Sequence, residues 1–169
     1  DVKVAEGTVY LETEISLTDT VRNHFHGAGW NATKFQAITV GMNMIHISGD
    51  ANWLQLGNFT LHGASKAAKG LYVEKGSRIT YEPMRIVSCT DWGLDLLYNH
   101  THMFSVLDIN GNGKNSTTGG IRLGAPGSPV NTVHIPTLML ESNYIGVLDQ
   151  GGYDHKFGFV LAESQKYQA

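Results

Sequence analysis

Three short apolar segments, each led by glycine, recur at nearly even spacing: Gly70-Leu71-Tyr72-Val73, Gly93-Leu94-Asp95-Leu96 and Gly120-Ile121-Arg122-Leu123. Successive copies start 23 and 27 residues apart. A period in the twenties marks a solenoid, whose turns bury their apolar faces against one another. In such a fold function belongs on a wall of stacked strands rather than in a closed pocket.

From residue 41 the chain divides into about five turns of about three strands each, short, alternating and too interrupted for helices. A sandwich of short antiparallel strands also shows turn signals every 8–12 residues or so, but has no reason to repeat one glycine-led strand every third segment. Residues 1–40 depart from the repeat and read as an N-terminal cap with entry strands, 41–162 as the β-helix turns, and 163–169 as a polar tail. A cap of this kind shields the first turn against edge pairing.

Alternation sets which side chains face out. With Leu71, Val73, Leu94, Leu96, Ile121 and Leu123 inside, one outer row runs His46, Tyr72, Asp95, Arg122 and Gly146, and a second runs Ser48, Glu74, Leu97, Gly124 and Leu148. Rows on adjacent turns sit about 4.8 Å apart and form side-chain ladders.

The charge balance gives no pull toward nucleic acid or an anionic membrane, with 12 Lys+Arg against 15 Asp+Glu. No apolar run reaches the roughly 18 residues of a membrane helix. Cys89 is the single cysteine and reads as a buried thiol. The chain opens on Asp1-Val2-Lys3 without a signal peptide or initiator methionine, as expected of a processed protein or a piece of a longer one.

The segments Gly7-Thr8-Val9-Tyr10-Leu11, Ile15-Ser16-Leu17 and Phe25-His26-Gly27-Ala28-Gly29-Trp30-Asn31-Ala32-Thr33 resemble the opening of the pectate-lyase-like right-handed β-helices of bacteriophage tailspikes. Asn58-Phe59-Thr60-Leu61-His62-Gly63, followed by Lys69-Gly70-Leu71-Tyr72-Val73, is similar to the repeat unit of that superfamily. The likeness spans residues 7 to about 161. It implies an all-β fold, a right-handed single-stranded parallel β-helix. It further implies a homotrimeric virion protein, on a phage tail or otherwise extracellular, that meets other virion proteins and binds or depolymerises a host-surface polysaccharide. Enzymatic members of the superfamily usually have many more turns. A non-catalytic scaffold is the alternative.

Glu74 and Asp95 are the candidate catalytic pair. Projecting from neighbouring turns, their α-carbons would lie roughly 8 Å apart, within reach of the carboxyl separations of about 5–9.5 Å that glycoside hydrolysis uses. The plainer alternative is a pair of solubilising acids. Arg122 would orient a glycan carboxylate, or serve a lyase with Tyr72, His46 or Lys75 as base; otherwise it pairs with Asp95 across the surface. Tyr72 with Trp92, or Trp53 if exposed, would stack on sugar rings.

His24 and His26, like His100 and His102, stand at i, i+2 on one side of a strand. No cysteine or acid completes a site at recognised spacing, so neither metal nor cofactor is expected. Asp108-Ile109-Asn110-Gly111-Asn112-Gly113 matches half a calcium loop, but Gly119 stands where a bidentate Glu is needed.

Overall fold

The computed structural model describes residues 1–18 and 22–166, with the side chains of Asn99 and His100 outside that description. It is all β, with no helix among the described residues. The strands are β1 (Val2–Lys3), β2 (Gly7–Leu11), β3 (Ile15–Thr18), β4 (His24–His26), β5 (Thr33–Ala37) and β6 (Asn43–Ser48). The middle of the chain forms β7 (Gln55–Gly57), β8 (Phe59–His62), β9 (Lys69–Val73), β10 (Gly76–Tyr81), β11 (Met84–Val87) and β12 (Trp92–Leu96). The rest forms β13 (Asn99–Phe104), β14 (Val106–Asn110), β15 (Gly119–Leu123), β16 (Val133–Glu141), β17 (Ile145–Asp149) and β18 (His155–Glu163).

From β4 to β15 each strand pairs in parallel with the one three places before it, and β16, β17 and β18 also pair in parallel, so the chain is a parallel β-solenoid. One six-stranded sheet runs β3-β6-β9-β12-β15-β17, which fixes the number of turns at about six. The other two ladders, β1-β4-β7-β10-β13 and β2-β5-β8-β11-β14, meet on β16 and so form one sheet. Strand β16 runs unbroken through Pro136, and β18 pairs along its length.

The additional turn comes from the N-terminal segment. Residues 1–40, which the sequence sets apart from the repeat, supply β1–β5, and all five lie in the ladders, as in Val2↔Phe25 and Val9↔Phe35. At the other end the tail begins docked. Gln165 Nε2 donates to the Leu140 carbonyl at 2.9 Å and the Lys166 amide to that of Asn143 at 3.1 Å; residues 167–169 lie outside the described chain.

A single apolar column fills the interior, from Phe25, Phe35 and Phe59 at one end to Val133 and Ile135 at the other. Cys89 lies in it, and burial pushes its thiol up to about 12. One corner is held by buried amides. Asn112 Nδ2 donates to the carbonyls of Ile86 and Asn110, its Oδ1 accepts from the Cys89 amide, and Asn143 repeats the motif one turn on, donating to the Ile109 carbonyl. These bonds satisfy backbone groups that the corner takes out of the ladders. The corner also explains the leading glycines: a Cβ on Gly93 would meet the Gly120 oxygen at 2.9 Å and Asn112 Nδ2 at 3.0 Å.

Candidate functional site

The outer face of the β3-β6-β9-β12-β15-β17 sheet carries the expected ladder. Its register runs Ser16↔His46↔Tyr72↔Asp95↔Arg122↔Leu148. Leu148 therefore belongs to the Arg122 row, not to the second row, and Gly146 aligns with Gly120 rather than with Arg122. The apolar pair Ile121↔Val147 sets that register by keeping both side chains on the core side.

The rungs touch. The His46 and Tyr72 rings stack with centroids 4.8 Å apart, and Lys69 Nζ lies 3.8 Å from the Tyr72 centroid. Arg122 grips Asp95 with a two-pronged bond, Nε to Oδ1 at 2.8 Å and Nη2 to Oδ2 at 2.6 Å. Lys69 Nζ adds a third contact at 2.6 Å. Asp95 is 0% exposed, so these two cations replace its hydration.

This arrangement bears directly on the chemistry. The Asp95–Arg122 ion pair weighed as the plainer alternative is present, and with its carboxylate enclosed rather than on the surface. A carboxylate sealed from solvent and held by two cations has no face to offer a substrate, so Asp95 does not suit the acid, base or nucleophile of hydrolysis. Glu74 differs: its side chain is 55% exposed, with His46 Nε2 at 3.1 Å. The hydrogen bond to Asp95 holds Arg122 more firmly charged, and the same bond occupies the guanidinium fork that a glycan carboxylate would need. Burial, then the Glu74 and Asp95 charges, push the Tyr72 phenol up, which makes it a poor base for a lyase.

Trp92 is misplaced as a sugar platform. It is 1% exposed, with the Arg122 guanidinium 5.7 Å from its ring. Trp53, by contrast, is 52% exposed, with the Arg78 guanidinium 4.9 Å from its ring. The half calcium loop is also spent elsewhere: Asp108 accepts from Arg85 at 2.7 Å and Asn112 is turned into the corner.

Two open clefts flank the ladder. One, of about 390 Å³, is lined by Tyr72, Glu74, Lys75, Leu97, Tyr98 and Ser128. Tyr98, 55% exposed, escaped the sequence reading because it lies just past the end of β12, where alternation stops. The other, of about 670 Å³, is bounded by Asp91, Trp92, Thr117, Arg122, Leu148 and Gln150. Burial pushes the Asp91 carboxyl up, against the pull of Lys69 and Arg122. Among the described residues lining that cleft it is the one carboxylate, and hydrolysis needs two.

The imidazole pair of β4 does find an acid. Ligand atoms of Asp1, His24 and His26 all lie within 4.8 Å of one another. No spacing rule reveals this, since Asp1 arrives from the preceding turn. For the second pair, His102 Nδ1 bonds the Tyr81 hydroxyl at 2.8 Å inside the core, while the His100 side chain lies outside the described residues.

No family model matches the chain, and no curated protein or solved structure does.

Proposed function

We propose that this solenoid is an attachment module that holds a host-surface polysaccharide in the cleft beside β9 and β12 without cleaving it. The observation that carries the reading is the composition of that cleft: the exposed Tyr98 ring stands with the Tyr72 edge, the half-exposed Glu74, Lys75 and Ser128 around an open groove. An aromatic face with hydroxyl and charged groups at its rim matches a sugar ring, apolar on its face and polar on its edge. The enclosure of Asp95 argues against turnover. A place on a phage virion, a homotrimeric state and a tailspike-like origin rest on the sequence resemblance of residues 7 to about 161.

Retention on an array of purified bacterial capsular and lipopolysaccharide glycans tests binding. Tyr98→Ala should weaken it about tenfold, the worth of one stacking contact. A digest of the bound glycan should release neither reducing ends nor an ultraviolet-absorbing unsaturated sugar. Release of reducing ends would revive hydrolysis, release of the unsaturated sugar a lyase, and unchanged retention in Tyr98→Ala would remove the cleft from the account.

A second reading, a structural assembly module, draws on β18. Its Phe157, Phe159, Val160 and Leu161 are exposed, and among the described residues β18 pairs with β16 alone. An apolar strand with one unpaired edge is a template for further pairing. Light scattering checks it: concentration-dependent association that Phe159→Lys abolishes favours assembly.

A further inference from the structure

We propose that Asp1, His24 and His26 form a binding site for a divalent transition-metal ion of the zinc class, independent of the glycan cleft. Phe25 points into the core, so the flanking His24 and His26 stand together on the outside of β4. Val2 pairs with Phe25, which sets Asp1 at the rung next to His24. The two rings meet edge to face, centroids 5.5 Å apart, and one ligand atom from each of the three residues falls within 4.8 Å of the others. It is the one such group among the described residues.

The strongest support is the shell behind the histidine. His26 Nδ1 lies 2.7 Å from Glu82 Oε2, and Glu82 is fixed in turn by Gln55 Nε2 at 3.1 Å on Oε1 and by the Asn58 amide on Oε2. A carboxylate on one imidazole nitrogen selects the Nδ1–H tautomer, orients the ring and leaves Nε2 as the basic lone pair, the arrangement that metal-ligating histidines use. Glu82 sits two rungs from His26, and the intervening rung is Gly57. A Cβ there would come within 2.7 Å of the Glu82 backbone oxygen. Glycine thus leaves the ladder open for the carboxylate to reach across.

Two imidazoles and one carboxylate suit zinc or a neighbouring first-row ion and leave positions for water, whereas magnesium and calcium seek more oxygen donors. The site faces an open cleft of about 630 Å³ through which an ion enters. Lys3 shares the rung of His26 and opposes a cation there.

Calorimetric titration of the full chain with Zn²⁺, and the visible absorption of Co²⁺, should each show one saturable site, with no heat from Mg²⁺. His24→Ala and His26→Ala should abolish it. Glu82→Gln should weaken Zn²⁺ about 10-fold while leaving Co²⁺ stoichiometry at one, the signature of a group acting through the ligand. Because His26→Ala also strands Glu82, the exposed His24 is the safer probe: Zn²⁺ should raise the melting temperature of the wild type and not of His24→Ala. Absence of a saturable site, or Zn²⁺ affinity unchanged in His24→Ala, overturns the proposal.

Discussion

The two outward ladders use carboxylates in opposite ways. On the β9-β12-β15 face Asp95 is enclosed by Arg122 and Lys69, and its charge is spent. On the β4-β7-β10 face Glu82 collects Gln55, Asn58 and a histidine Nδ1, and so leaves the far nitrogen of that histidine available. Both acids reach neighbours on adjacent turns through the same rung spacing. What separates them is the partner: a strong cation ends the chain of interactions, while an imidazole passes it on to whatever binds next.

The largest effect should come from Asp95→Asn. Removing that charge leaves Lys69 and Arg122 facing each other beside a buried amide, a loss of about 3 kcal/mol, or roughly 10 °C in melting temperature. Thermal unfolding measures it. A shift of a degree or less would mean that solvent screens the cluster, and the contrast between the faces would collapse. Next is Glu82→Gln. An amide accepts through one atom where the carboxylate accepted from three donors, which costs about 1.5 kcal/mol before any metal is added. Chemical denaturation of the two variants side by side sharpens the comparison, since the Asp95 variant should leave Zn²⁺ binding untouched.

Much of the first face was legible, because alternation and the glycine-led strands fix which residues stack, and His46, Tyr72, Asp95 and Arg122 do share one row. Alternation says which way a side chain points and nothing of what covers it. Asp95 is therefore outward in pattern and buried in fact. The entry strands within residues 1–40 were legible as strands but not as a turn of the repeat, because β1 and β4 have two and three residues, too few to show a period. The Asp1, His24 and His26 group was hidden because its acid is a neighbour across a rung, and the sequence motifs of metal sites register neighbours along a strand or helix.

Acidification should tell on the histidines whose charged form burial disfavours. His62 and His155 both have lowered pKa values, chiefly from desolvation. Their folded pKa values lie below the unfolded 6.5, so the unfolded chain takes up protons first. The stability they lend is present above pH 6.5 and is lost as pH falls through that value to their folded ones. Asp91, raised by burial, works the other way, since its protonation on acidification relieves a cost. Melting temperature against pH should fall less steeply below 6.5 in His155→Gln than in the wild type; parallel curves would remove His155 from the account.

The smallest effect is expected at Glu74, and it tests the first face most directly. Glu74 stands on the turn before Asp95, yet its side chain is half exposed and meets the His46 imidazole. An exposed carboxylate of that kind contributes within about 0.5 kcal/mol, so Glu74→Gln should leave the melting temperature where it was. The same substitution should weaken glycan retention, because Glu74 lines the cleft with Tyr98. A loss of stability comparable to that of Asp95→Asn would place both acids in one structural network and leave the cleft without its polar anchor. Unchanged stability with weakened retention would divide the ladder in two: an enclosed half that holds the turns together, and an open half that meets the ligand.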